Sequence, residues 1–202
     1  VMFRRRAPHA SRALTAAALC AAFVVTACGS ENDDLAQRAS NDGTNYVAGD
    51  GTVEEYAPES RGEALAFEAE TFDGDQISED TFQGEVSVVN FWYANCPPCR
   101  KEAPDLQEIN EDFADDGVQF LGVNTRDTQP TAEAFERNFG ITYPSIEDRG
   151  GSVMLAVTDY VPPSAVPTTL VVDREGRVSA RIIGLVDPGT LRALIDTALD
   201  EG

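Results

Sequence analysis

The chain has 202 residues, with 15 Lys and Arg against 35 Asp and Glu, a formal net charge of −20 and a hydrophobic share of 42%. That composition fits one folded domain plus extensions, excludes wholesale disorder, and lacks the basic clusters that nucleic-acid binding requires. The only histidine is His9, and two of the four cysteines, Cys20 and Cys28, lie in the same N-terminal stretch. With that end set aside, only Cys96 and Cys99 remain. Ser-His-Asp or Cys-His catalysis and any His-ligated metal site are then excluded.

Residues 1–27 carry four arginines and no acid, followed by an apolar run from Ala13 to Ala27. Fifteen residues fall short of the roughly 20 that a spanning helix needs, and a basic head before a short apolar stretch describes a secretory signal. The boundary Val25-Thr26-Ala27-Cys28-Gly29 resembles the bacterial lipobox, which makes Cys28 the expected lipidation site and the new N-terminus. The adjacent arginines lack the apolar residues that follow a twin-arginine pair, so the export route stays open. Removing the signal takes away four positive and no negative charges, leaving a formal charge of −24. Anionic lipid headgroups would repel such a domain, so membrane attachment must come from the lipid on Cys28.

From residue 28 to 62 the chain is rich in Asp, Glu, Asn, Ser, Gly and Thr, and reads as a flexible acidic tether. As a coil of about 34 residues it would reach roughly 30–35 Å. Residues 63–202 suffice for one well-buried core. Ala64 to Ser78 reads as a hairpin turning at Asp73-Gly74. Val86 to Phe91 is an apolar, β-branched run suited to a strand covered on both faces. Pro97 to about Ala114 has helical spacing, with Leu106, Ile109 and Phe113 on one stripe. A second buried strand spans Val118 to Asn124, and helices are predicted over Thr131–Phe139 and Gly151–Val157. Two further strands, Thr168–Val172 and Val178–Ile183, flank a turn at Asp173 to Gly176. Asp187 caps a final helix with Pro188 in its first turn. The order of elements predicts an α/β layered sheet with helices on both faces.

Cys96 and Cys99 lie three apart where a buried strand hands over to a helix N-terminus. Cys96 can serve as N-cap, since Pro97 and Pro98 fill positions whose amides have no intrahelical partner. The helix dipole and the Cys99 amide then favour a thiolate on Cys96, while Cys99, one turn inside, is expected to be more shielded. The expected cycle is attack by one thiolate on a disulfide, then release by the other. Structural zinc needs four ligands, and the domain has neither a His nor a second Cys pair. A purely structural disulfide would remove little unfolded-chain entropy from so short a loop. A copper-chaperone site would need a histidine beside the pair.

Three stretches carry a family resemblance: Asn90-Phe91-Trp92, Cys96-Pro97-Pro98-Cys99-Arg100-Lys101-Glu102-Ala103-Pro104, and Val166-Pro167-Thr168-Thr169-Leu170-Val171-Val172-Asp173. Over residues 64–200 the chain resembles the thioredoxin superfamily and, within it, the TlpA/ResA-type membrane-anchored thiol-disulfide oxidoreductases. The resemblance implies a thioredoxin-like fold, with a central mixed β-sheet, helices on both faces and an N-terminal β-hairpin extension. It implies that Cys96 is the nucleophile, Cys99 the resolving thiol, Pro167 a cis-proline against the disulfide, and Glu102 an acid close to the thiols. Positions 99 and 102 share a helix face, and a carboxylate there would raise a thiol pKa. Trp92, Asn95, Pro97, Val166 and Thr168 are candidates for the substrate groove.

No cofactor or metal is implied beyond the cysteine pair. The implied partners are exported thiol or disulfide proteins, apocytochrome c among them, and a CcdA- or DsbD-like membrane electron donor, with the protein itself a monomer. Two positions depart from the pattern. Asn95 stands where most relatives have a tryptophan, and Asn90 stands where thioredoxin has a buried acid, leaving any proton relay to Glu102 or water. Each proline between the cysteines removes an amide that could solvate the Cys96 thiolate, which predicts a reducing couple rather than a strongly oxidising one. Oxidation of exported thiols by the same residues, and a non-catalytic lipoprotein on this scaffold, are the alternatives.

Overall fold

The computed structural model describes residues 52–201. The secretory signal, the lipidation site Cys28 and the tether up to residue 51 lie outside the described residues. Strand β4 (Val86–Trp92) is buried at all seven positions and organises the domain. It pairs in parallel with β5 (Val118–Asn124) and antiparallel with β7 (Thr168–Val172). Strand β5 continues in parallel to β6 (Ser145–Glu147), and β7 continues antiparallel to β8 (Val178–Ile183). With β1 (Val53–Glu55) on β8, the mixed sheet runs β1-β8-β7-β4-β5-β6.

Period-two alternation along β4 sorts its side chains between two cores. Val86 and Val88 face helices α1 (Pro97–Asp112) and α4 (Pro188–Asp200), in a core with Leu106, Ile109, Leu191 and Ile195. Val89 and Phe91 face the other side, which is covered by Phe82, Leu65 and α3 (Ser152–Ala156) with its following loop. A third cluster at the carboxyl end of β4 joins Trp92 and both cysteines to Ala132 and Phe135 of α2 (Gln129–Phe139). Helices therefore cover both faces, as the order of elements predicts. The capped final helix is also present, with Asp187 Oδ1 accepting the Thr190 N–H at 2.9 Å. The predicted hairpin is two residues per strand, β2 (Ala69–Glu70) and β3 (Gln76–Ile77), and its turn contains Gly74 at φ 93°.

Two features differ from the sequence-based expectation. Strand β6 falls where no element is predicted, because three residues carry too little pattern to register. The larger correction concerns residues 53–62, which are not tether. Val53, Glu54 and Glu55 form an edge strand opposite Ile182, Arg181 and Ala180, and Glu54 pairs with Arg181. Arg61 then reaches Asp173 at 2.9 Å and Glu201 at 2.6 Å, and the Arg61 and Asp173 side chains are 2% and 3% exposed. This arginine bolts the N-terminal segment to the β7–β8 turn and to the end of α4. Its partners lie more than a hundred residues away, so no local pattern announces it.

Arg61→Ala removes the pairs with Asp173 and Glu201 while Asp173 keeps Arg177, so the cost is about 2 kcal/mol, below that of a buried charge left alone. The urea midpoint should fall by that energy divided by the m-value, roughly 1 M, with m itself unchanged. A loss below about 0.5 kcal/mol, the range of ordinary surface changes, would show that residues 53–62 are not part of the folded unit.

Candidate active site

The site is built where β4 ends and α1 begins. Thr125 N–H donates to the Trp92 carbonyl at 3.0 Å and Asp127 Oδ2 accepts the Ala94 N–H at 2.6 Å, so the β5–α2 loop holds the turn over residues 92–94. Asp127 is itself held by Asn124, whose Nδ2 donates to it and whose Oδ1 accepts the Arg126 and Asp127 amides. Sequence reasoning missed this brace, although an Asn followed three residues later by Asp is a recognisable turn pattern.

Cys96 is the N-cap of α1, Pro97 and Pro98 open the helix, and Cys96 and Cys99 are joined in a disulfide with Cα atoms 5.2 Å apart. Cys99 N–H donates to Cys96 Sγ at 3.1 Å, the one local amide the two prolines leave available. The expected difference in shielding is absent: Cys96 is 1% and Cys99 2% exposed. Tyr93, Ala94 and Val166 pack against the cluster that holds both cysteines, and the first cysteine is as buried as the second.

The Val166–Pro167 peptide bond is cis, and the Pro167 carbonyl accepts the Gly184 N–H at 2.8 Å, tying that loop to the β8–α4 connection. Of the groove candidates, Asn95 and Pro97 are exposed and Val166 is half-buried. Trp92 and Thr168 are corrected, since both lie beneath the surface. Trp92 is 4% exposed and stacks on Phe135 at 4.5 Å, and Thr168 is fully buried with its hydroxyl on the Ala165 carbonyl. Gly122 makes room for the indole, since a Cβ there would approach Trp92 Nε1 to 2.9 Å and run into Ser145 Oγ. Trp92 is thus a floor under the site.

Glu102 has no exposed surface. It lies four residues before Leu106 and seven before Ile109, on the same inward stripe of α1, a placement legible in the sequence. Its Oε1 accepts from Asn90 Nδ2 at 3.1 Å and its Oε2 from the Val186 N–H at 3.0 Å. Asn90 also donates to Thr169 Oγ1 at 3.0 Å. The residue at the position of a buried acid in thioredoxin is therefore the hydrogen-bond partner of the acid that this chain has. Burial drives the Glu102 pKa up to about 7 against the opposing pull of its Val186 and Asn90 bonds, with a further small push from Asp105. A cavity of about 10 Å³, measured as space for the centre of a water molecule, adjoins Cys99 between Asn90, Trp92, Ala103 and Tyr143. That volume is at the lower limit for one water. Among the described residues, no group of three or more His, Cys, Asp or Glu is arranged to hold a metal ion.

The raised pKa has a consequence for stability. Between about pH 4.5 and 7 the folded chain holds a proton on Glu102 that the unfolded chain has released, so stability falls as pH rises through that window. The loss is on the order of 3 kcal/mol. Glu102→Gln cannot titrate, though its amide oxygen accepts from only one of the two donors and its NH₂ confronts the other, costing about 1 kcal/mol. Denaturation series at stepped pH should show the variant less stable than wild type near pH 4.5 and more stable near pH 8. Parallel pH profiles for the two proteins would contradict the assignment.

Comparison with known proteins places this geometry in a family. The sequence profile of the AhpC/TSA family matches residues 61–181, more than half of the chain. The thiol:disulfide interchange protein HelX of Rhodobacter capsulatus is 35% identical over 143 residues, covering 71% of this chain and 74% of HelX. The thiol-disulfide oxidoreductase ResA of Halalkalibacterium halodurans is 28% identical over 116 residues, covering 57% of this chain and 64% of that protein, somewhat under two thirds of its length. The crystal structure of a secreted thiol-disulfide isomerase from Corynebacterium glutamicum superposes with a TM-score of 0.66 at 29% identity, over 77% of this chain and 96% of that one. The chain belongs to the AhpC/TSA family and carries the thioredoxin-type fold of the ResA- and HelX-like thiol-disulfide oxidoreductases.

Proposed function

We propose that the chain is an extracytoplasmic thiol-disulfide oxidoreductase that reduces disulfides in exported proteins. One observation carries the reading: the Cys96–Cys99 disulfide caps α1, three residues before a fully buried carboxyl whose pKa is near neutrality. A structural crosslink would have no use for such a group. General acid–base work at pH 7 requires one.

In the proposed cycle the reduced Cys96 thiolate attacks one sulfur of the target disulfide. That S–S bond breaks, the target's other sulfur leaves as a thiolate, and Cys96 becomes joined to the target. Glu102 accepts the Cys99 proton, and the Cys99 thiolate attacks Cys96 Sγ. The intramolecular disulfide re-forms and the second target thiolate is expelled, having received the second of two electrons. The proton on Glu102 is then available to the departing thiolate. An external dithiol of the CcdA/DsbD class would re-reduce the pair.

The signal-like sequence of residues 1–27, the lipobox-like sequence before Cys28 and the secreted C. glutamicum relative support an extracytoplasmic site for this cycle. No described helix is long and apolar enough to cross a membrane. The names of ResA and HelX favour thiol-disulfide exchange as the reaction, and exported proteins, apocytochrome c among them, are our candidate targets. The reducing direction rests on Pro97 and Pro98, which leave Cys99 N–H as the local donor to Cys96 Sγ.

Reduced protein should accelerate insulin reduction, and Cys96→Ser should abolish the effect. Cys99→Ser should accumulate mixed disulfides with targets, whereas Cys96→Ser should not. A dithiol–disulfide titration should give a potential closer to the roughly −270 mV of thioredoxin than to the roughly −120 mV of a strong oxidant. A value near the latter would reverse the direction, and insulin reduction unaffected by Cys96→Ser would remove the enzymatic reading.

A further inference from the structure

Positive charge is scarce in this chain, and its distribution is uneven. Residues 52–201 contain ten Lys and Arg side chains. Arg61, Arg137, Arg149, Arg177, Arg181 and Arg192 are each engaged by a carboxylate, and Arg174 is tied to the Leu199 carbonyl. The remaining three, Arg100, Lys101 and Arg126, form no ion pair among the described residues and are all exposed. All three border the disulfide. Arg100 Nη1 donates to the Ala94 carbonyl at 3.3 Å, two residues before Cys96, and its guanidinium lies over the Phe139 ring at 5.1 Å. Arg126 lies over the Tyr93 ring at 4.1 Å, and the Tyr93 carbonyl accepts the Cys96 N–H. Lys101 stands one helical turn beyond the exposed Pro97, on the same face of α1.

No carboxylate forms an ion pair with this collar among the described residues: Asp127 spends Oδ2 on the Ala94 amide and Asn124, Glu102 is buried beneath the helix, and Asp105, four residues after Lys101, stays unpaired with it. Two of the three cations lie over aromatic rings, contacts that restrict a guanidinium fork in advance of a planar carboxylate. We propose that the face around Cys96 docks an acidic segment of the partner polypeptide, its Asp and Glu side chains engaging Arg100, Lys101 and Arg126 on either side of the cysteine being exchanged. The proposal rests on the oxidoreductase reading, because the partner's cysteine must reach Cys96. Elsewhere the surface is strongly acidic, so an acidic segment is repelled from every approach except the one that presents its cysteine to the pair.

Three synthetic peptides test this, each with the same internal disulfide and flanked by Asp/Glu, by Asn/Gln or by Lys/Arg. Reduced full-length protein should turn over the acidic peptide with a kcat/KM about tenfold above the basic one at about 20 mM NaCl, with the neutral peptide between them. Raising NaCl to about 500 mM should shrink the ratio to within about threefold, since the contacts are exposed. Replacing all three cations by Gln should bring the ratio close to one or invert it. Arg192→Gln should retain the ratio, since it removes a charge paired with Glu108 and Asp112, about 13–20 Å along α1 from Cys99. Equal turnover of the three peptides, or faster turnover of the basic one, overturns the docking proposal and leaves the oxidoreductase reading standing. If no peptide is reduced beyond the level of Cys96→Ser, the oxidoreductase reading falls and takes the docking proposal with it.

Discussion

A carboxyl group with no access to solvent lies at the joint of this domain, and much of the structure depends on how it is satisfied. Glu102 takes one hydrogen bond from Asn90 on the central strand and one from the backbone of Val186 ahead of α4. Those bonds tie α1 to β4 and to the last helix at the level of the cysteine pair. Burying a carboxylate without such bonds would cost several kcal/mol, and even with them the proton is held to about pH 7. The same residue therefore positions the helix that carries the disulfide and holds an exchangeable proton three residues beyond Cys99. Asn90 makes this workable: an acid at that position would place two carboxyls in one buried site and force one of them neutral.

Charge is organised on two scales. Among the described residues, six of the ten basic side chains are paired with carboxylates. Arg61 fixes the N-terminal segment to Asp173 and Glu201, and Arg192 links α4 to α1 through Glu108 and Asp112. The acidic excess covers the rest of the surface and holds the domain away from anionic lipid. Against that background, three unpaired cations at the mouth of the site form a local field of opposite sign. Among the described residues, the exposed cations that form no ion pair lie near the cysteine pair.

Much of this was legible in the sequence because it is local. The two sheet-centre strands, the capped final helix and the strand-to-helix junction at Cys96 all follow from short-range pattern, and the structure has them within a residue or two. The ranking of Cys96 as more open than Cys99 failed because it considered only depth along the helix. Tyr93, Ala94 and Val166 come from outside the helix and pack against the cluster that holds the pair. Trp92 and Thr168, candidates for the substrate groove in the sequence, are buried, because the alternation of β4 and the first residue of β7 turn both inward. The folded part also starts earlier than composition suggests, because an acidic, turn-rich stretch looks like tether until Arg61 finds partners contributed by the far end of the chain. Glu102 was half legible. Its kinship with Cys99 was visible in the spacing, and its place on the stripe of Leu106 and Ile109 could have been read from the same numbers.

The account turns on Glu102 being a buried acid that exchanges its proton near neutral pH. Isotope-edited NMR of the Glu102 side-chain carboxyl carbon, followed from about pH 4 to about pH 9 in the oxidised protein, measures this directly. A midpoint near 7 is expected for the oxidised form, rising further on reduction as the neighbouring thiol ionises. A midpoint in the ordinary carboxylate range, unchanged between the oxidised and reduced proteins, would contradict the account.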